Sequence, residues 1–252
     1  MHSEIGAEHT VVPWTLGILD DAGVPLRRDH RVLDFRCETG LRVYEFRAYG
    51  FCAMGFDTHN RVTVREEADK DWFIFSDDAC RYHIPQPDNT FDFVFSGGLE
   101  HVRDYDAAFQ EIHRVLKPGG TSLQVCPARW RPIEKHFYVP LGGRFHSHPY
   151  LLFWAALGIR HGRQKGKSYR EVAHENWRYA QSELRYHSAR EILLYARRYF
   201  KRLIPVEQSF IKHTQHLSFI SRVSHRTRKL FPPVVSLFAG FHTRVFLLEK
   251  GR

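Results

Sequence analysis

Apolar residues along the first half of the chain fall into short runs separated by helical stripes. The segments "RVLDF" (31–35), "CAMGFD" (52–57), "FDFVFS" (91–96) and "TSLQVCP" (121–127) are compact apolar runs suited to strands buried on both faces. Between them, residues 41–49 read as a helix closed by Gly50. The stretch "DYDAAFQEIHRVLKPGG" opens on an acidic cap and aligns Ala108, Phe109, Ile112, Val115 and Leu116 on one helical face before Pro118 and Gly119-Gly120 stop it. Residues 12–24 read as a helix ending at Gly23, and "WFIFS" (72–76) is ambiguous between a third strand and a loop. Strands alternating with helices at this spacing predict an α/β domain with a mostly parallel sheet covered on both faces.

After Pro127 the rhythm breaks. Residues 128–185 are rich in His, Arg and aromatics and are expected to form an insertion or lid within one domain spanning 1–252. A helix over 188–200, a strand near 203–211 and a last strand over 243–250 restore the alternation. The intervening segment 216–241 is basic, then apolar, with Pro232-Pro233 at its middle. It reads as a packed connector or as a contact with a membrane surface.

Composition narrows the function classes. With 252 residues, 43% hydrophobic and 14% aromatic, the chain can bury one sizeable core. It has no run of 18 apolar residues and no leader-like start, so a cytoplasmic protein is expected, with peripheral membrane contact through 216–241 as the variant of that reading. Cys37, Cys52, Cys80 and Cys126 lack paired spacing and are expected to be buried thiols. The net charge of +9 hides an asymmetry: residues 1–125 hold 13 Lys+Arg against 21 Asp+Glu, and residues 126–252 hold 24 against 7. A basic second half suits an anionic partner or a solvated face.

The unit 31–57 carries linked chemistry. A strand ends in Asp34, a turn closes on Gly40, and the second strand ends in Asp57. Ligands in such folds lie over the carboxyl ends of the strands, where an acid such as Asp57 can accept from ribose hydroxyls. Asp78, after the third segment, is placed to accept from an adenine amino group or to serve a turn.

The string "RVLDFRCETG", followed by "GFD", "DDA" and "IPQPDNTFDFVFSGGLEHVRDYDAAFQEIHRVLKPGG", resembles the class I S-adenosylmethionine-dependent methyltransferases, in the group that methylates small molecules, lipids and sugars. The resemblance is close over about 30–127. It implies a Rossmann-like fold of seven strands with the last antiparallel, and S-adenosylmethionine as cofactor, with S-adenosylhomocysteine as product. It implies methyl transfer to oxygen or nitrogen of a small or lipid-linked, anionic acceptor. Carried over by position, Asp34 supports the turn, Gly40 lets backbone approach the methionine part, and Asp57 holds the ribose. Asp78 and Ala79 read the adenine, and Ser96 and Gly97 pass beneath the reactive methyl. Arg36 and Glu38 stand at the first two glycine positions of the family turn. Glycine there permits positive φ and leaves room for ligand. Arg36 is expected to pair with the cofactor carboxylate, and Glu38 with its ammonium or with Arg36. The alternative is a methyltransferase-like protein that has lost methyl transfer and serves as a partner or binding subunit, or uses the pocket for other chemistry.

A hydroxyl acceptor also needs a base. His101, in "GLEHV", matches a family residue at the pocket floor, with a structural helix-cap role as its other reading, and His136, in "RPIEKHFYVP", lies on the loop after the fifth strand beside Glu134. No metal site is expected: His146 and His148 in "RFHSHP" lack a third ligand. Tyr150, Phe153, Trp154, Trp177, Tyr179 and Tyr186 suit a small core better than a substrate cage. No RNA-binding module is visible, so nucleic acid is not the expected partner.

Overall fold

The computed structural model describes residues 10–76, 82–214 and 242–252. Helix α1 (Val12–Asp21) precedes strand β1 (Arg31–Phe35), helix α2 (Leu41–Ala48) and strand β2 (Cys52–Asp57). Strands β3 (Phe73–Phe75) and β4 (Phe91–Ser96), helix α3 (Tyr105–Val115) and strand β5 (Leu116–Pro127) follow. Helices α4 (His148–Ala156) and α5 (Tyr169–Glu183) lie in the segment expected as an insertion. Helix α6 (Ala189–Ala196), strand β6 (Arg202–Pro205), helix α7 (Glu207–His213) and strand β7 (Thr243–Glu249) complete the described chain.

The strands form one seven-stranded sheet in the order β3-β2-β1-β4-β5-β7-β6. Neighbours from β3 through β5 pair in parallel, and β7 runs antiparallel to both β5 and β6. Strand order therefore reverses between β1 and β4, and open sheets of this kind bind ligands at such a point, outside the carboxyl ends of the strands. Successive residues point to opposite faces. Leu33, Phe35 and Val94 pack with Phe109, Ile112 and Ala196 on one face, while Val32, Phe93 and Phe95 pack with Ile18, Val43 and Phe46 on the other. This division is why β1 and β4 read as continuous apolar runs.

The helix starts follow local chemistry. Asp104 Oδ1 accepts from the Ala107 amide at 3.0 Å and caps α3. Ser168 and Ser188 cap α5 and α6 in reciprocal pairs with Glu171 and Glu191. Two boundaries and the burial of one cysteine differ from expectation. Leu116 belongs to β5, pairing with Phe91, because that strand begins upstream of Pro118 rather than at Thr121. The predicted strand 203–211 is a strand only to Pro205; Val206 turns the chain and Glu207–His213 is helical. Cys37 and Cys126 are buried, but Cys52 is exposed at the start of β2. Cys80 and the segment 216–241 lie outside the described residues.

Segment 128–185 has its own small core. Phe137, Val139, Leu151, Ala180 and Leu184 pack with Tyr150, Trp154, Trp177, Tyr179 and Tyr186, while Phe153 stays exposed. Among the described residues, no helix is long and apolar enough to cross a membrane.

Candidate active site

The turn after β1 keeps a backbone that its residue types disfavour. Arg36, Glu38 and Gly40 have φ of 63°, 52° and 80°. Holding a non-glycine residue in that region costs on the order of 1–3 kcal/mol. Backbone bonds fix the turn against this cost: the amides of Arg36 and Cys37 donate to the Phe56 carbonyl at 2.8 and 3.0 Å, and Gly40 donates to Cys37 at 2.8 Å. A Cβ at Gly40 would lie 2.7 Å from the Phe73 ring, so glycine serves packing here as well as φ. Gly40→Ala is expected to destabilise the fold by about 1–3 kcal/mol, read as a lowered thermal midpoint. An unchanged midpoint would refute this account of the turn.

The Arg36 side chain is buried and runs to the end of β2. Its Nη1 donates to Asp57 Oδ1 at 2.7 Å and contacts Thr58 Oγ1. Asp57 Oδ1 also accepts from the His59 amide at 3.2 Å, and Oδ2 accepts from the Glu38 amide at 2.9 Å. Both oxygens of this acid are thus engaged by the chain's own donors. The expected pairing of Arg36 with Glu38 is not made, because Asp57 takes the guanidinium. Glu38 instead turns toward His101, with Oε1 3.8 Å from Nε2.

Asp34 is fully buried beneath the turn and engages Arg42, whose Nε lies 3.0 and 3.1 Å from its two oxygens. Arg42 Nη2 also donates to the Arg36 carbonyl at 2.8 Å, tying α2 to the turn. Burial pushes the Asp34 carboxyl up to about 6, against the opposing pull of Arg42. Ser96 ends β4, paired with Phe35 of β1, and Gly97 follows it. The buried Ser96 hydroxyl has no hydrogen-bond partner among the described residues, and a Cβ at Gly97 would touch the Phe95 ring at 3.2 Å. Asp78 and Ala79 lie outside the described residues.

His101 and His136 come together from different loops, with ring centroids 5.2 Å apart. The Nδ1–H of His101 donates to the Glu183 carbonyl at 3.0 Å, which leaves Nε2 as the acceptor nitrogen. Burial lowers the His101 pKa and favours the neutral ring. His136 Nδ1 bonds Glu134 Oε1 at 2.5 Å. Glu134, 1% exposed, also accepts from the amides of His136 and Phe137 at 2.7 and 2.9 Å and from the Tyr186 hydroxyl at 2.5 Å. Burial raises its pKa, but the bonds from His136 and Tyr186 prevail and hold it below the ordinary carboxylate range.

Residues 33–123 match the family described as a methyltransferase domain. That stretch is similar to a methyltransferase domain, and the seven-stranded sheet has the Rossmann-like fold of solved methyltransferases. A demethylmenaquinone methyltransferase of Lactiplantibacillus plantarum is 32% identical over 150 residues, covering 51% of this chain and 62% of that protein. A ubiquinone/menaquinone biosynthesis C-methyltransferase of Cupriavidus pinatubonensis is 44% identical over 59 residues, 23% of this chain and 24% of that protein. The chain thus spans less than two thirds of either relative's length. Phosphoethanolamine N-methyltransferase 2 of Haemonchus contortus, solved with phosphomonomethylethanolamine and S-adenosylhomocysteine, superposes with a TM-score of 0.52 at 18% identity, covering 94% of this chain and 52% of that one. That likeness is one of fold.

Sequence reasoning brought forward the turn, Asp57 and both histidines of this candidate site, but missed three partners. Arg42 was hidden among ordinary helix residues, although it stands eight positions after Asp34. Glu100 looked like a neighbour of His101 and is itself 1% exposed. Tyr186 was counted with the aromatic core, while its hydroxyl reaches Glu134.

Proposed function

We propose that this protein is an S-adenosylmethionine-dependent methyltransferase acting on oxygen or nitrogen of a small or lipid-linked, anionic acceptor. The observation that carries the reading is Asp57, ending β2 beside a turn held in left-handed backbone, within the stretch that matches a methyltransferase domain. The name of the similar demethylmenaquinone methyltransferase, which specifies a quinone precursor, supports a small-molecule acceptor. The basic second half of the chain supports an anionic one.

The cradle suits the cofactor in its backbone and in Asp57, with Arg36 as the group that must yield. Asp57 would hold the ribose hydroxyls once the guanidinium leaves Oδ1, and the turn 36–40 would line the methionine part. The cofactor supplies an electrophilic methyl group. The chain aligns the acceptor for in-line attack, and the neutral His101, with Nδ1 committed to the Glu183 carbonyl, accepts the acceptor's proton at Nε2. Glu134 acts through His136, fixing its ring.

The Arg36–Asp57 ion pair favours a second reading, a methyltransferase-like protein whose cofactor site is filled by its own side chain. Calorimetric titration with S-adenosylmethionine and S-adenosylhomocysteine separates the two. Binding by the parent chain supports the methyltransferase. If only the double variant Arg36→Gly with Glu38→Gly binds, the filled-site reading stands, and no heat from either protein at millimolar ligand sinks the proposal.

A further inference from the structure

We propose that Glu100, His101 and His136 form a site for a divalent transition-metal ion on the acceptor side of the pocket. Potential ligand atoms of these three residues all lie within 4.8 Å of one another. On each histidine Nδ1 is held by an acceptor. His101 gives its Nδ1 proton to the Glu183 carbonyl and His136 bonds Glu134 through Nδ1, so both rings keep Nε2 for an ion. No hydrogen bond among the described residues uses either Nε2. Outer acceptors of this kind fix the tautomer and aim the ring in metal centres.

Glu100 is the independent sign. Its carboxylate is 1% exposed and neither oxygen accepts an aligned hydrogen bond among the described residues. Its charged companions are the Lys135 ammonium, which contacts Oε1, and His101, whose Nε2 lies 3.9 Å from the same oxygen. Lys135 balances the charge at Oε1, but the buried Oε2 keeps no hydrogen-bond partner among the described residues, and a cation between it and two imidazoles would supply one. Lys135 reaches in from a partly exposed position on a flexible stem and acts as the stand-in counterion.

Two imidazoles with one carboxylate form a donor set for Zn²⁺, Fe²⁺, Co²⁺ or Mn²⁺ rather than for Ca²⁺. Ligand atoms about 2.1 Å from an ion stand roughly 3.3 Å apart, so side-chain rotations of about 1 Å would close the site. Glu38, 3.8 Å from His101 Nε2, borders the open side. Remaining coordination positions would take an oxygen donor of the acceptor, and the histidines would then serve as ligands instead of as free bases. This concerns the acceptor side of the pocket proposed above, but it rests on residues outside the cofactor turn.

The test uses the full chain, freed of metal by chelation, with no cofactor present, so its failure is separate from failure of the methyltransferase reading. Zn²⁺ is followed by calorimetry and Co²⁺ by its visible absorption. Binding is expected at one ion per chain. The double variant His101→Gln with His136→Gln should weaken it at least about 100-fold, and Lys135→Ala, which frees Glu100, should tighten it several-fold. Thermal unfolding of each variant checks that it is folded. Absence of Zn²⁺ and Co²⁺ binding, or equal binding by the double histidine variant through the chain's other histidines, would overturn the proposal.

Discussion

Asp57→Ala is expected to destabilise the protein by about 3–5 kcal/mol, because it leaves the Arg36 guanidinium buried without its counter-charge. The side chains of Arg36 and Asp57 are 7% and 3% exposed, so water screens little of this pair. The substitution also strips the acceptor from the amides of Glu38 and His59. For a chain of this length the thermal midpoint should fall by roughly 6–20 °C. The double variant Asp57→Ala with Arg36→Gly should recover much of the loss, since it removes the orphaned charge and places glycine at a φ of 63°. A double-mutant cycle on thermal or denaturant unfolding reads the coupling directly. Additive losses would mean that Arg36 contributes nothing through Asp57, and the account of the turn as held by this pair would be wrong.

Glu134→Ala should cost a similar amount, about 3–5 kcal/mol, for a different reason. One buried carboxylate accepts from two amides, one imidazole and one phenol, and all four donors lose their partner together. Glu134→Gln keeps the shape and loses the charge, which makes the pH dependence informative. The folded protein holds Glu134 below its ordinary pKa of 4.5. Its stabilisation is therefore present above pH 4.5 and lost as pH falls through the lower folded-state value. The gap in midpoint between the parent and Glu134→Gln should be full at neutral pH and shrink below pH 4.5. A gap that does not change with pH would show that the charge on Glu134 is not what orders this loop.

Much of the sheet was legible because apolar runs and glycine stops are local signals. The runs 31–35, 52–57 and 91–96 coincide with β1, β2 and β4, since strands buried on both faces admit few polar residues. Misreadings occurred where local and tertiary demands part. Val206 continues an apolar stretch, yet the chain leaves the sheet there, because β6 pairs with β7 for only four residues. Leu116 completes a helical stripe, yet it pairs with Phe91 on β4. A helical period cannot register where a neighbouring strand will claim a residue.

The sequence by itself determined the α/β class, the main strands, and the identity of the acids and histidines of the candidate site. Those follow from hydrophobic period and from residue types at the ends of strands, which any short window contains. Only the tertiary structure decided how the charges pair. Arg36 and Asp57 are 21 positions apart. Glu134 and Tyr186 are 52 apart, and His101 meets the Glu183 carbonyl from 82 positions away. Which donor reaches which carboxylate depends on where separate loops fold over the sheet, and electrostatic choice among several arginines and acids is settled by distance and burial. Arg36 illustrates the division: its position in the turn could be read from the chain, but its commitment to Asp57 could be read only from the fold.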